Sequence, residues 1–410
     1  MPEAERAAAT VDGVLDDEVD LVVVGLGGIG SATALYASRL GLGVLGLERF
    51  GLHGHDRGAS HDHSRIIRRS YHDARYVRLT AAAYDAWREV EAMSGEQCVW
   101  TTGGLDLFPP GAAIDASTYV AAMTAEGVPF DVLDGTEVRR RWPTLAVDDG
   151  VLALHQADTG IVSPDVAVPL LQRLATGAGA RLHGGCRVRE LRPRDDGIDV
   201  VFEIDEHAGG GRRSVRTRRV VLAVDAWTNE LLAPLGAPLP LTVLQQQVSY
   251  YDVDDDRDFA IGRLPVWIWM DEPSFYGFPG FGRSGVKIAE DCGGREVTGD
   301  TRTTGADPEM LARTDAFSEA LFGGRVGPRR HTATCLYTLT PDRDFVLDAV
   351  PGHPDVLVAL GAAHAFKFVP WFGRTLAAAV AGRPLDQDLS LFTMHREALR
   401  HPNGRKAWLV

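Results

Sequence analysis

The stretch Asp20-Leu-Val-Val-Val-Gly25-Leu-Gly27-Gly-Ile-Gly30 decides the fold. Leu21 to Val24 are apolar and mostly β-branched, and the run stops at glycine, as a strand buried in a parallel sheet does. Gly25, Gly27 and Gly30 follow as Gly-x-Gly-x-x-Gly, and Ser31 to Leu40 then carry apolar residues at helical spacing. Gly43 to Glu48 reads as a second strand, which completes a β-α-β unit. The glycines permit a tight turn and a close approach of backbone to a pyrophosphate resting on the helix N-terminus. Glu48 ends the second strand, where an acid bonds ribose hydroxyls and repels a 2′-phosphate. The unit itself is compatible with NAD or FAD.

Composition narrows the class. A chain of 410 residues exceeds what one core usually covers, so two domains are expected. Hydrophobic content of 45% and charge of 24% are ordinary for a globular protein. A net charge of −14 argues against a nucleic-acid partner. No apolar run reaches the length of a membrane span, so no membrane role is expected. Residues 1–18 are acidic and Ala-rich, with no basic or apolar leader pattern, and read as a disordered extension. Cys98, Cys186, Cys292 and Cys335 form no Cys-x-x-Cys pair, so neither a zinc site nor a disulfide framework is expected, and no metal is assigned. That usage fits a reducing cytoplasm.

Strand types alternate along the chain. Parallel-type runs occur at both ends, and Leu241 to Val253 alternates apolar and polar residues like a half-buried antiparallel strand. Helices are expected over 74–93, from Pro164 behind an Ser163 N-cap, over 307–322 and over 371–381. The fold class is therefore α/β (α+β overall): a Rossmann-like nucleotide domain with an inserted substrate domain on a mostly antiparallel sheet. The expected nucleotide domain is discontinuous, over 19–100, 158–235 and 336–395, with the substrate domain over 101–157 and 236–335 and a tail over 396–410.

Three further constellations carry chemistry. Five of the 13 histidines fall between His53 and His72, among Arg57, Arg65, Arg68 and Arg69. This local positive field suits an anionic ring or a carboxylate, or it is a solvated basic loop. Lys287 lies in the apolar strand Gly285-Val-Lys-Ile288, and Lys367 lies between Phe366 and Phe368. Either lysine could simply snorkel to the surface. A lone Cys335 sits in Cys-Leu-Tyr-Thr, some 300 residues after the glycines.

As a set, Gly25 to Gly30, Ser60 to Arg68, Arg141-Trp-Pro143, Tyr276-Gly-Phe-Pro279, Lys287, Cys335-Leu-Tyr337 and Phe366-Lys-Phe368 resemble the monomeric sarcosine oxidase and N-methyltryptophan oxidase family from Asp20 to about Leu389. The stretch Ala365 to Arg374 is similar to the branch that oxidises cyclic imino acids, the piperideine-carboxylate oxidases. The resemblance implies FAD, held covalently through Cys335. It places Gly25, Gly27, Gly30, Glu48, Arg49, Ser60, Ser64, Val188, Gly361 and Lys367 around that cofactor. It implies that His61 and Arg65 lie near the flavin ring, that Arg68 and Lys367 clamp a substrate carboxylate, and that Tyr337 lines the pocket. It makes Lys287 the oxygen-activating cation on the opposite flavin face, and His364 a further active-site residue. Departures from sarcosine oxidases are Asp291 where a histidine is usual, Asp225 for a glycine, and Trp371 for a small residue. Trp267, Trp269 and Phe275 are expected, with Asp291 and Trp371, to wall a bulky substrate pocket.

The implied activity is oxidation of the C–N bond of a secondary amino acid, N-methyl or cyclic, to an imine, with O2 reduced to H2O2. Alternatives are a same-fold dehydrogenase with another acceptor, or a natural-product tailoring oxidase on a cyclic imino acid. The expected partners are the amine or imino acid and O2, in a monomer or weak oligomer.

Overall fold

The computed structural model describes residues 18–401; most of the expected extension and the end of the expected tail lie outside them. The opening β-α-β unit is present. Val19–Val24 pairs in parallel with Val44–Leu47 on one side and Arg212–Leu222 on the other. An eight-stranded sheet runs in the order Cys186–Arg194, Gly197–Ile204, Arg212–Leu222, Val19–Val24, Val44–Leu47, Arg181–His183. His353–Leu360 joins it in parallel at Val220 to Leu222, and Val346–Val350 lies beside it. Arg212–Leu222 thus serves two roles. Its first half is a hairpin partner of Gly197–Ile204, and its second half enters the parallel core.

The helix Gly28–Arg39 is buried along almost its whole length because its small residues admit neighbours on two sides. It packs against Pro164–Gly177 and Val369–Val380. At the second contact a Cβ on Gly373 would lie 2.5 Å from the Ala32 carbonyl carbon, so the two backbones meet there. The helix at Pro164 has its expected N-terminal proline, but the Ser163 side chain makes no cap hydrogen bond.

The second sheet has nine strands from 104–156 and 242–339. All its pairings are antiparallel except that of Val266–Trp269 with Gly104–Phe108. Thr242–Val253 is expected to be half-buried, yet eight consecutive residues are buried, because the helix Pro308–Phe322 and neighbouring strands cover both faces. A three-stranded sheet, Arg65–Ile67, Gly160–Val162 and Val99–Thr101, carries the Arg-rich segment toward the cleft. Beyond the last long helix, Arg396 is tied to Asp342 at 2.7 Å and to the Phe345 carbonyl.

Candidate active site

A deep cleft opens at the C-terminal ends of the parallel strands and runs beneath the antiparallel sheet. At its outer part the backbone fits a dinucleotide. Gly25 has φ +85°, and a Cβ there would stand 2.5 Å from the Ala223 carbonyl oxygen. A Cβ on Gly30 would lie 1.8 Å from the Gly25 oxygen. Gly27 caps the helix without a side chain, so the helix N-terminus presents bare amides to the cleft. The Gly28 amide donates to Ser60 Oγ at 3.1 Å, which ties the basic loop to the glycine turn.

Glu48 lines this part and is buried. Its two oxygens accept from the Leu26 amide at 2.7 Å and the Phe50 amide at 2.9 Å, and one lies 3.3 Å from His55 Nε2. Burial alone would raise its pKa, but these donors hold it below the usual carboxylate range. Arg49 pairs with Asp300 at 2.7 Å and stacks over Trp227. Val188, Trp227 and Asp225 complete the wall. Asp225 stands at φ +47° with its Oδ2 unpartnered, and burial pushes its carboxyl up to about 6.

Deeper in, Arg65 reaches the cleft between Leu336, Tyr276 and Tyr337. Its guanidinium donates to the Ser64 and Ala59 carbonyls at 2.9 and 3.0 Å. His61, Lys287 and Cys335 are not on the cleft wall; they lie in a layer around Arg65. Burial and then the Arg65 charge push His61 down to about 3, so it is neutral. Lys287 Nζ, only 2% exposed, sits 2.6 Å from Asp62 and donates to the Ser64 carbonyl and hydroxyl at 2.9 and 3.2 Å. Burial raises the Cys335 thiol pKa, against the pull of Arg65, Lys287 and Arg302. Tyr337 and Tyr276 share a 3.2 Å hydroxyl contact.

The innermost group is a set of buried charges. Arg68 pairs with Asp106 at 3.1 Å, and Arg343 pairs with Asp291 at 2.7 Å. Lys367 donates to the His364 carbonyl at 2.7 Å and, among the described residues, meets no carboxylate at ion-pair distance. Burial, then Arg68 and Arg343, push its ammonium well below the usual lysine range. His364 Nε2 lies 2.9 Å from the Arg343 carbonyl and Nδ1 lies 3.4 Å from the Tyr71 hydroxyl. A carbonyl can only accept, so the Nε2–H tautomer is fixed, and burial keeps the ring neutral. Gly361 starts the turn that delivers Lys367. Ala362 and Ala363 follow at φ +43° and +68°, a conformation rare for alanine that over-determined surroundings must hold.

Four expected wall residues are not on the wall. Trp267 is fully buried against Phe317 and Phe322, Trp269 packs on Phe317, and Phe275 stacks on Phe317 at 4.0 Å. Side chains alternate along a strand, so the cleft receives Ile268, Ser274, Tyr276 and Phe278 instead. Trp371 packs among Phe368, Phe372 and Phe392 in the core. Asp62, Tyr71, Asp106 and Arg343 are functional neighbours that the sequence reading did not single out. The adjacent charged motif could have pointed to Asp62; nothing local marks Asp106 or Arg343.

A Rossmann-like nucleotide domain joined to a charged cleft beneath an antiparallel sheet is the architecture of an oxidoreductase that binds a dinucleotide. The chain belongs to the FAD dependent oxidoreductase family, which it matches over residues 20–379. It is 35% identical to monomeric sarcosine oxidase of Streptomyces avermitilis, over 92% of this chain and 98% of that protein. It is 28% identical to N-methyl-L-tryptophan oxidase of Yersinia pestis (strain Pestoides F), over 92% and 99%. Among solved structures it is similar to NikD, an unusual amino acid oxidase essential for nikkomycin biosynthesis, at 28% identity, TM-score 0.81, and coverage of 92% and 97%. The expectation of a flavin-dependent amine oxidase is borne out by this kinship. Among the described residues no helix is long and apolar enough to cross a membrane, and no cluster of three or more His, Cys, Asp or Glu could hold a metal.

Proposed function

We propose that the enzyme oxidises the C–N bond of a secondary amino acid, N-methyl or cyclic, and reduces O2 to H2O2. The observation that carries this reading is the innermost charge set. Two guanidiniums, Arg68 and Arg343, face two carboxylates, Asp106 and Asp291. Beside them lies Lys367, whose ammonium burial and the arginines push well below the usual range and a bound anion would restore. One carboxylate from a substrate balances the set, and only Lys367 lacks an acidic partner there among the described residues. FAD supplies the redox chemistry when bound, taking a hydride from the carbon beside nitrogen and passing two electrons to O2.

The chain's own residues bind and polarise. Lys367 and Arg68 hold the substrate carboxylate, which fixes where its α-carbon lies. Neutral His364 keeps the Lys367 turn in place through its two hydrogen bonds. The amine must be uncharged to lose hydride, so turnover rises with pH through the substrate's ionisation. Cys335 carries a thioether to the flavin; burial raises its thiol pKa, and Arg65, Lys287 and Arg302 around it partly offset that toward the thiolate that such attachment needs. Lys287 is the fixed cation that lowers the barrier for electron transfer to O2. Nucleotide contacts fall to Gly25, Gly27, Gly30, Glu48, Arg49, Ser60, Val188 and Gly361, all on the cleft wall or in its glycine turn, whereas the expected Ser64 is buried behind it and binds Lys287 instead. Two domains, each centred on one of the two large sheets, are part of this reading, with the strand Val326–Leu339 running across the expected boundary at 335/336.

A panel of N-methyl amino acids, proline and pipecolate, each beside its decarboxylated amine, tests the reading. The acids should bleach the flavin anaerobically and yield peroxide in air, and the amines should bind far more weakly. Equal binding of acids and amines, or no bleaching by any secondary amino acid, contradicts it.

A further inference from the structure

Lys287 is not a bare cation. Asp62 Oδ2 lies 2.6 Å from its Nζ, and Asp62 Oδ1 accepts from the Tyr250 hydroxyl at 2.6 Å. Both members of the ion pair are buried, with side chains 2% and 8% exposed. Asp62 holds this place at φ +76°, in the left-handed region, where a non-glycine residue is strained unless its surroundings fix it.

An ammonium removed from water tends to shed its proton. Burial pushes Lys287 in that direction and the Arg65 charge adds to it; the Asp62 carboxylate is the main force opposing them, and it leaves the ammonium somewhat below the usual lysine range. The other titratable groups facing the pair do not replace it. His61 is neutral beside Asp62, Cys335 and His331 lie on the strand Val326–Leu339, Tyr250 bonds the carboxylate itself, and Arg283 stacks over Tyr250. Arg65 is 3.9 Å from Asp62, so two cations share one anion and a net positive charge survives.

Resting on the reading of Lys287 as the oxygen-facing cation, we propose that Asp62 is its positioning residue: it pins the ammonium beside Ser64 and keeps it charged to higher pH, so that reoxidation by O2 holds its rate further into the alkaline range. The acid attenuates the local field and in exchange preserves it to higher pH.

The test uses flavin-loaded enzyme, reduced without oxygen and then mixed with O2 in a stopped-flow instrument from about pH 6 to about pH 10, across the range where an unpaired buried lysine loses its proton. The native enzyme should hold its reoxidation rate until the alkaline end of that range, and any fall there should come at higher pH than in Asp62→Asn. Asp62→Asn should match or exceed it at the acid end and fall by about tenfold or more through one ionisation at the alkaline end. Its anaerobic reduction by substrate should keep the native pH profile. Lys287→Met, and Lys287→Met combined with Asp62→Asn, should be slow and flat. Asp62→Gly suits the same backbone conformation and should show the same step if Asp62→Asn does not load flavin. A flat Asp62→Asn profile beside a slow Lys287→Met overturns the role of Asp62 alone. A step that survives in the double variant also overturns it. A Lys287→Met enzyme that reoxidises at the native rate removes the reading on which the inference rests.

Discussion

At the residue scale, three side chains behave against their usual chemistry because of where they are buried. Lys367 is a cation held among two arginines. Its ammonium is depressed in the free enzyme, and a bound anion restores it. Binding of a carboxylate inhibitor should therefore weaken as pH rises through the free-enzyme ionisation of Lys367, and Lys367→Ala should weaken binding by about 2–5 kcal/mol with flavin retained. Titration of inhibitor affinity against pH checks both; a flat profile removes Lys367 from the carboxylate site. Cys335 should leave flavin on the denatured protein, seen as a mass increase lost in Cys335→Ala. Flavin released from the denatured native enzyme contradicts the thioether. Asp225 has a folded pKa of about 6, above the usual carboxylate value. Its folded form holds the proton longer than its unfolded form, so the stability it contributes is present at low pH and lost as pH rises toward 6. Asp225→Asn should raise the Tm relative to native enzyme at about pH 8 and make little difference near about pH 4. An equal difference at both values contradicts this assignment.

At the element scale, register decides which residues reach the cleft. Trp267 and Ile268 are neighbours in sequence and face opposite sides of one strand. Trp267→Ala should cost about 3–5 kcal/mol of stability by opening a core cavity, and the folded fraction should keep its KM. Ile268→Ala should do the reverse, shifting KM with a smaller loss of stability. Denaturant unfolding and steady-state kinetics separate the two, and a KM change confined to Trp267→Ala would restore it to the wall. The same strand shows how far sequence can be read. Bulk and aromaticity mark a buried strand, but Val266–Trp269 is apolar on both faces, so no alternation tells which face is the cleft. The glycine turn was legible because it needs particular residues at particular places. Lys287 and Lys367 stand out as charges in apolar contexts, and Arg68 as one of a basic cluster. Asp106 and Arg343 did not, because their partners lie 38 and 52 residues away in sequence. Trp371 falls on the buried side of its helix, packed on Phe372 and Phe392.

At the scale of the whole molecule, two sheets divide the labour. The parallel sheet and its glycine turn offer amides to a dinucleotide, and the antiparallel sheet lays Tyr276, Tyr337 and the Lys287 layer over the cleft. The Arg65–Ile67 strand links them, with Arg65 beside Lys287 and Arg68 in the inner charge set. Two cationic centres thus sit on one scaffold, and on the proposed reading one serves the carbon donor and the other the oxygen acceptor. That division is the central claim, and half-reactions resolve it. In Lys287→Met, anaerobic reduction by substrate should stay near the native rate while reoxidation by O2 falls by about a hundredfold or more. Equal losses in the two half-reactions, or an unchanged reoxidation rate, would contradict the account.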